Sequence, residues 1–536
     1  VPRDPAAPML AALPKPQAVD TDHFASVIIC DRCHTAGDRA MRDSKGTDIS
    51  PVAEAQASMM ALSARDPYYL AALRRELIAN PGAKSQIETL CIRCHAPVGF
   101  TESPTLGLAD LTTANTPAAL LAREGVGCAG CHALAPDGLG TDATFVGKGA
   151  LRTDRVSFGA LPAPLAEAMV QMSKTTPVPS KHVTESRLCA SCHTVLVHAL
   201  DPHGAPLGDE IAEQATYLEW RNSDFQDEVT PAGPLATTCQ GCHMPRGEDE
   251  LGKSPAILTS FSTRPPDAPQ RDGYRRHTLR GGNSYLLRQL SRNTDWLGGA
   301  ATAAQLADAA AGTEAFAKRA ARLDITGGLA DLAIAVVNET GHKLPTGYPT
   351  RRMWLHIAAK DRAGKLVFES GGTRAGALID SKGSRLDGAD VILPHRTTID
   401  SPDQVALWEA VPVDAAGKRT HLLLGTVRLA KDNRILPAGW RADHADGART
   451  KPIGTAGDPG FVAGRDTIHV KLPATATSIV VELLYQSIPP ETIESYRPKD
   501  SLEAARFLQI ASAPPEPVVL VRHFIIEQFG QLRLSL

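Results

Sequence analysis

The sequence predicts an α + β multidomain protein: a mainly helical and irregular domain that folds around bound cofactors, followed by a C-terminal β-sandwich-like domain. Three observations predict it. All ten cysteines fall between residues 30 and 243 in five copies of one pattern, in surroundings rich in Pro and Gly. An Ala-rich helical stretch, AATAAQLADAAAGTEAFAKRAARL, follows at residues 300–323. Beyond Gly327-Gly328 the texture changes to alternating apolar and polar residues bounded by Gly, Asp and Pro, as in half-buried strands. The 536 residues suffice for two or three ordinary domains. The expected division is an N-terminal extended segment (1–22), a cofactor-binding domain (23–299), a linking helix (300–325) and the sandwich (326–536).

The five cysteine motifs are Cys30/Cys33/His34, Cys91/Cys94/His95, Cys128/Cys131/His132, Cys189/Cys192/His193 and Cys239/Cys242/His243. Each reads C-x-x-C-H, the attachment signature of a c-type haem. Two thiols three residues apart share one helical face, where both reach the vinyl groups of one porphyrin, and the adjacent histidine sits under the iron as proximal ligand. A lone C-x-x-C could equally be a zinc knuckle or a redox pair. Histidine makes up about 2% of an average sequence, so five adjacent histidines by accident have a probability of order a few in a billion. The motifs therefore imply five covalently bound haem c groups, with no cysteine left for a disulfide. An aromatic content of only 5% fits porphyrins supplying flat apolar surface.

Helices are expected at Pro51–Ser63 and Pro67–Ile78, the second opened by Asp66 as N-cap with Pro67 at the first helical position. Strands are expected at Asp331–Asn338, Met353–Lys360, Leu366–Glu369, His421–Val427, Thr467–Leu472 and Ser478–Tyr485. Asp361–Gly364 (DRAG) reads as a hairpin turn between two of them. One repeat stands out: residues 23–35 (HFASVIICDRCHT) and 182–194 (HVTESRLCASCHT) align without a gap, each with a histidine seven residues before the first cysteine.

Five proximal histidines leave twelve others from which the sixth iron ligands can come. His23 and His182, too close in sequence to reach the far face of their own porphyrin, are candidates for neighbouring haems. His277 lies in RRHTLRGGN, where two glycines allow the backbone close to a flat ring. His342 lies in NETGHKLPTGYP, a stiff Gly- and Pro-rich turn between strands, and would dock the sandwich onto the haem domain. For the fifth position Met59, Met60, His198 and His203 are candidates, although methionines at helical spacing commonly fill cores. His356, His421 and His469 read as ordinary sheet residues.

The formal charge is −3, to which ten propionates would add, and no basic patch for nucleic acid is present. There is no 18-residue apolar run to span a membrane. Residues 1–16 lack the pattern of a signal peptide, and a start at valine suggests one already removed. The expected location is the periplasm or the cell exterior, where redox proteins would be the partners.

The same motifs, together with SMMALSARDPYY (58–69), EQATYLEWRNSDF (213–225), CQGCHMP (239–245), HTLRGGN (277–283) and GHKLPTGYPTRRMWLHI (341–357), resemble bacterial multihaem cytochromes of the cytochrome c554-like group over roughly residues 23 to 360. The resemblance implies electron transfer by closely packed low-spin haems, and some relatives polymerise into extracellular filaments. It assigns no substrate. Two further functions therefore stand beside the electron carrier. One is a filament subunit whose open iron is ligated by the next copy. The other is an oxidoreductase with one five-coordinate haem acting on a small nitrogen or sulfur compound, with no recognisable acid–base motif to serve it.

Overall fold

The computed structural model describes residues 8–38, 40–249, 254–498, 500–528 and 531–535; residues 1–7 of the expected N-terminal segment lie outside them. Helices and sheets are both present, the helices concentrated before residue 320 and most strands after it. Each cysteine motif sits on a short helix: Val27–His34, Lys84–His95, Cys128–His132, Arg187–Ala190 with its following turn, and Cys239–His243. The helix Pro67–Ala79 starts as its sequence requires, with the Asp66 carboxylate accepting from the Tyr68 and Tyr69 amides. The other expected helix is shorter, ending at Gln56, and Met59 and Met60 follow in turns. The Ala-rich helix is also shorter, Ala303–Ala317, opened by a capping box between Thr302 and Gln305. Ala321–Gly328 is already strand, because Ala321 and Leu323 alternate with exposed Arg322 and Asp324.

After residue 320 two sheets share one apolar core. The four-stranded sheet runs Thr398–Ile399, Arg465–Val470, Asp331–Asn338, Ala321–Gly328; the larger contains Arg352–Lys360, Ser478–Gln486 and Val518–Gln528 at its centre. Leu332, Ile334 and Val336 of the first face Leu355, Ile357, Val481 and Leu483 of the second in one cluster, the two-layer arrangement that alternating strands favour. Asp361–Gly364 does form the turn joining Arg352–Lys360 to Leu366–Ser370. The expected strand His421–Val427 is a correction: this segment is turn, and the strand begins at Arg428. Its amides at Leu423 and Leu424 are taken by the Glu76 carboxylate instead of a ladder. Strands at Leu407–Val413 and Val518–Gln528 were not anticipated from alternation, the former because it is buried along nearly its whole length.

The two halves interlock. The helix Leu502–Ile510 leaves the sandwich and packs on Pro67–Ala79, with Phe507 and Tyr496 against Tyr68. Among the described residues no helix is long and apolar enough to cross a membrane.

Candidate functional site

A single connected cavity of ≈ 1790 Å³ runs through the helical half and reaches the sandwich. All ten cysteines and all five motif histidines line it. Every cysteine is free, and the thiols of different motifs meet in pairs: Cys30 with Cys128, Cys94 with Cys192, Cys189 with Cys239. Cys131 also lies near Cys192. The third motif thus neighbours the first and fourth, and the fourth neighbours the second and fifth.

The motif histidines are held as metal ligands are. A ligating imidazole normally donates its second N–H to a carbonyl or carboxylate, which fixes the ring and leaves the other nitrogen for the metal. Here Nδ1 of His34 pairs with the Phe261 carbonyl (2.9 Å), that of His95 with Ser63 (3.2 Å), that of His132 with Phe158 (2.7 Å) and that of His243 with Arg280 (2.6 Å). His193 is bonded by the Gln214 side chain. Burial pushes His95 and His193 down to about 4, so both are neutral, as ligation requires.

Two further histidines face motif histidines across the cavity. His277 stands opposite His132, and His342 opposite His243, each pair with ring centroids 6.5 Å apart and ring planes within 24° and 23°. An imidazole nitrogen binds a transition metal at about 2.0–2.1 Å, so two rings on opposite sides of one ion have centroids roughly 6.3 Å apart once the ring radii are added. Both histidines commit Nδ1 to a carbonyl, Arg275 for His277 and Lys343 for His342, each at 2.9 Å. Burial drives both down to about 4.

The chain builds these two positions with care. The amide of His277 donates to Glu54 Oε2 (2.7 Å), while Arg276 pairs with the other oxygen. Gly282 is needed for close approach, but to the Tyr485 hydroxyl of the sandwich, where a Cβ would collide. In the His342 turn, Glu219 Oε2 accepts from the Lys343 amide (3.1 Å) and the Thr346 hydroxyl (2.6 Å). Lys343 Nζ is buried against Asp432 at 2.6 Å. A Cβ on Gly341 would meet Trp220 at 2.9 Å and Phe225 at 3.0 Å. The sequence stretches around Glu219 and His342 are therefore two sides of one joint.

The remaining candidates are placed differently. His23 lines the cavity, half-exposed, with Nδ1 3.3 Å from Glu102. Met59 and Met60 line it too, with Met59 also packed against the apolar core of the helical half. His182 is buried and has both nitrogens engaged, Nδ1 with Ser180 (2.6 Å) and Nε2 with the Leu134 carbonyl (2.9 Å). Neither it nor His198 nor His203 lines the cavity. The 23–35 and 182–194 segments, alike in sequence, thus put their histidines in unlike surroundings. Sequence reasoning missed the acid–base groups of the cavity wall, Glu76, Glu213, Tyr68 and Tyr348; they come from distant segments and no local pattern announces them.

The residues fit haem c: paired thiols, oriented imidazoles and two imidazole pairs around a shared apolar space. No protein-family model matches the chain, and no curated protein matches it. A solved structure, a penta-heme cytochrome c552 from Thermochromatium tepidum, is similar over 84% of this chain and 94% of that chain, at 16% identity and a TM-score of 0.44.

Proposed function

We propose that this chain is a five-haem c-type cytochrome that passes electrons outside the cytoplasm between redox partner proteins. The observation that carries the reading is the opposed imidazole pairs, His132/His277 and His243/His342, inside a cavity lined by all ten motif thiols. When bound, haem c supplies iron that cycles by one electron. The chain's residues would do the rest. The ten cysteines would attach the groups, and His34, His95, His132, His193 and His243 would ligate their irons. His277 and His342, which lie 6.5 Å from His132 and His243, would hold the third and fifth groups from the other side. His23 and Met59, which line the cavity, are the candidates for two other distal positions. Backbone carbonyls, and for His193 the Gln214 side chain, would fix the ring orientations.

Intact mass and EPR test this. Protein made with competent maturation machinery is expected to carry five haems, mostly low-spin, and to be reduced reversibly. Four or fewer attached haems, or a dominant high-spin signal in the untouched protein, would overturn the reading.

A further inference from the structure

Two buried acids lie within reach of the Cys91 thiol and the Tyr348 phenol, where the second and fourth motifs adjoin. Glu76, on Pro67–Ala79, is 6% exposed, and Glu213, on the strand Pro206–Gln214, is 7% exposed. Both line the cavity, and both act on the Cys91 thiol. Glu76 Oε1 accepts from the Leu423 and Leu424 amides at 2.5 and 3.4 Å, and its Oε2 has no partner. Around Glu76 stand Arg75 of its own helix, Tyr348, Tyr496 and Cys91. Around Glu213 stand Arg351, Arg434, Gln214, Tyr348, Cys91 and Cys94.

Behind Tyr348 lies a second cavity of ≈ 20 Å³ that shares Tyr348, Thr350 and Leu423 with the large one and is also lined by His421. His421 Nε2 has no partner, and Tyr348 is hydrogen-bonded to Tyr68. An imidazole and two phenols thus stand on the side of the acids away from the motifs.

We propose that Glu76 and Glu213 are a proton-accepting pair that takes up one proton when the adjoining site, attached at Cys91 and Cys94, accepts one electron. The inference rests on the haem reading above. For each electron delivered by an external one-electron donor, one proton passes from solvent to a carboxylate oxygen of the pair, and the net charge of the buried region is unchanged. That balance matters because an uncompensated charge in a poorly solvated interior is costly. Burial raises Glu76 to about 7 and Glu213 to about 8, so both acids can exchange protons near neutrality.

Potentiometric titration of the holoprotein between about pH 6 and 9 tests the pair. A one-proton, one-electron site shifts its equilibrium tenfold per pH unit, about 59 mV for one electron. One component is expected to fall towards that slope as pH rises. E76Q and E213Q, which keep shape and an acceptor oxygen, should each flatten the slope, and the double variant should abolish it. Midpoints independent of pH in the parent protein overturn the pair, as does an unchanged slope in the double variant. Failure of every component to be reduced reversibly would instead sink the electron-transfer reading itself.

Discussion

At His342 and His277 Nδ1 is tied to a carbonyl, and each ring lies 6.5 Å, centroid to centroid, from a motif histidine. His395 is the contrasting case, close to Asp458 and Asp466 in a group that could be taken for a metal site. Asn433 Oδ1 accepts from the Glu409 amide and its Nδ2 donates to the Leu407 carbonyl, so Nδ2 must also donate to His395 Nδ1. Nδ1 is then an acceptor, and Nε2 carries the hydrogen given to Asp458 at 2.7 Å; no lone pair is left for a metal. The same reasoning separates the distal candidates. His342→Ala and His277→Ala are expected to keep all five haems attached, since attachment needs the cysteines, and each to convert one haem to high spin in the EPR spectrum. His182→Ala should leave the spin state unchanged, because both its nitrogens serve Ser180 and Leu134. A high-spin signal in the His182 variant, or none in the other two, would reverse these assignments.

The element that matters most is the turn from Asn338 to Pro349, since it delivers a sandwich residue to the cavity. Asn338 Nδ2 ties its start to the His342, Ile435 and Leu436 carbonyls. Lys343, Asp432, Arg434 and Glu219 form a buried ion network beneath it. Removing one member of such a network typically costs about 3–5 kcal/mol, because the other charge stays buried unpaired. Lys343→Met is therefore expected to destabilise the protein by that order in a denaturant titration, and to perturb the fifth haem before the others. Equal perturbation of all five would show that the turn has no special tie to that site. Much of this element was legible in the sequence: the glycines and prolines announced a rigid turn, and His342 stood out inside it. Its partner, Glu219, was not legible, because an acid in a helix reads as solvated surface until the fold buries it. The strand expected at His421–Val427 failed for a related reason. Its apolar run LLLG supplies core contacts, yet its amides are satisfied by Glu76 from another part of the chain, a long-range pairing that periodicity does not encode.

The whole molecule divides by what fills its interior. The sandwich core is closed by its own side chains, with Ile334, Ile357, Ile468 and Val481 fully buried. The helical half surrounds a cavity of ≈ 1790 Å³. The helices that carry the motifs are four to twelve residues long, too short to persist alone in water. On the haem reading their order would rest on attached porphyrins as well as on the apolar cluster that includes Ile87 and Ile92, whereas the sheets hold one another through paired strands. A chain with all ten cysteines changed to serine, or made without haem-attachment machinery, is accordingly expected to lose the helical half selectively. In hydrogen exchange, amides of Asp331–Asn338, Arg352–Lys360 and Ser478–Gln486 should remain slow. Those of Val27–His34 and Lys84–His95 should exchange at rates close to those of unfolded peptides. The helix Leu502–Ile510 is the sharpest probe, because in sequence it lies between the sandwich strands Ser478–Gln486 and Val518–Gln528 but packs on Pro67–Ala79. If the cavity organises the helical half, that helix should lose protection with Pro67–Ala79 and not with the strands. Equal protection of helices and strands in the haem-free chain would mean that the fold precedes its cofactors.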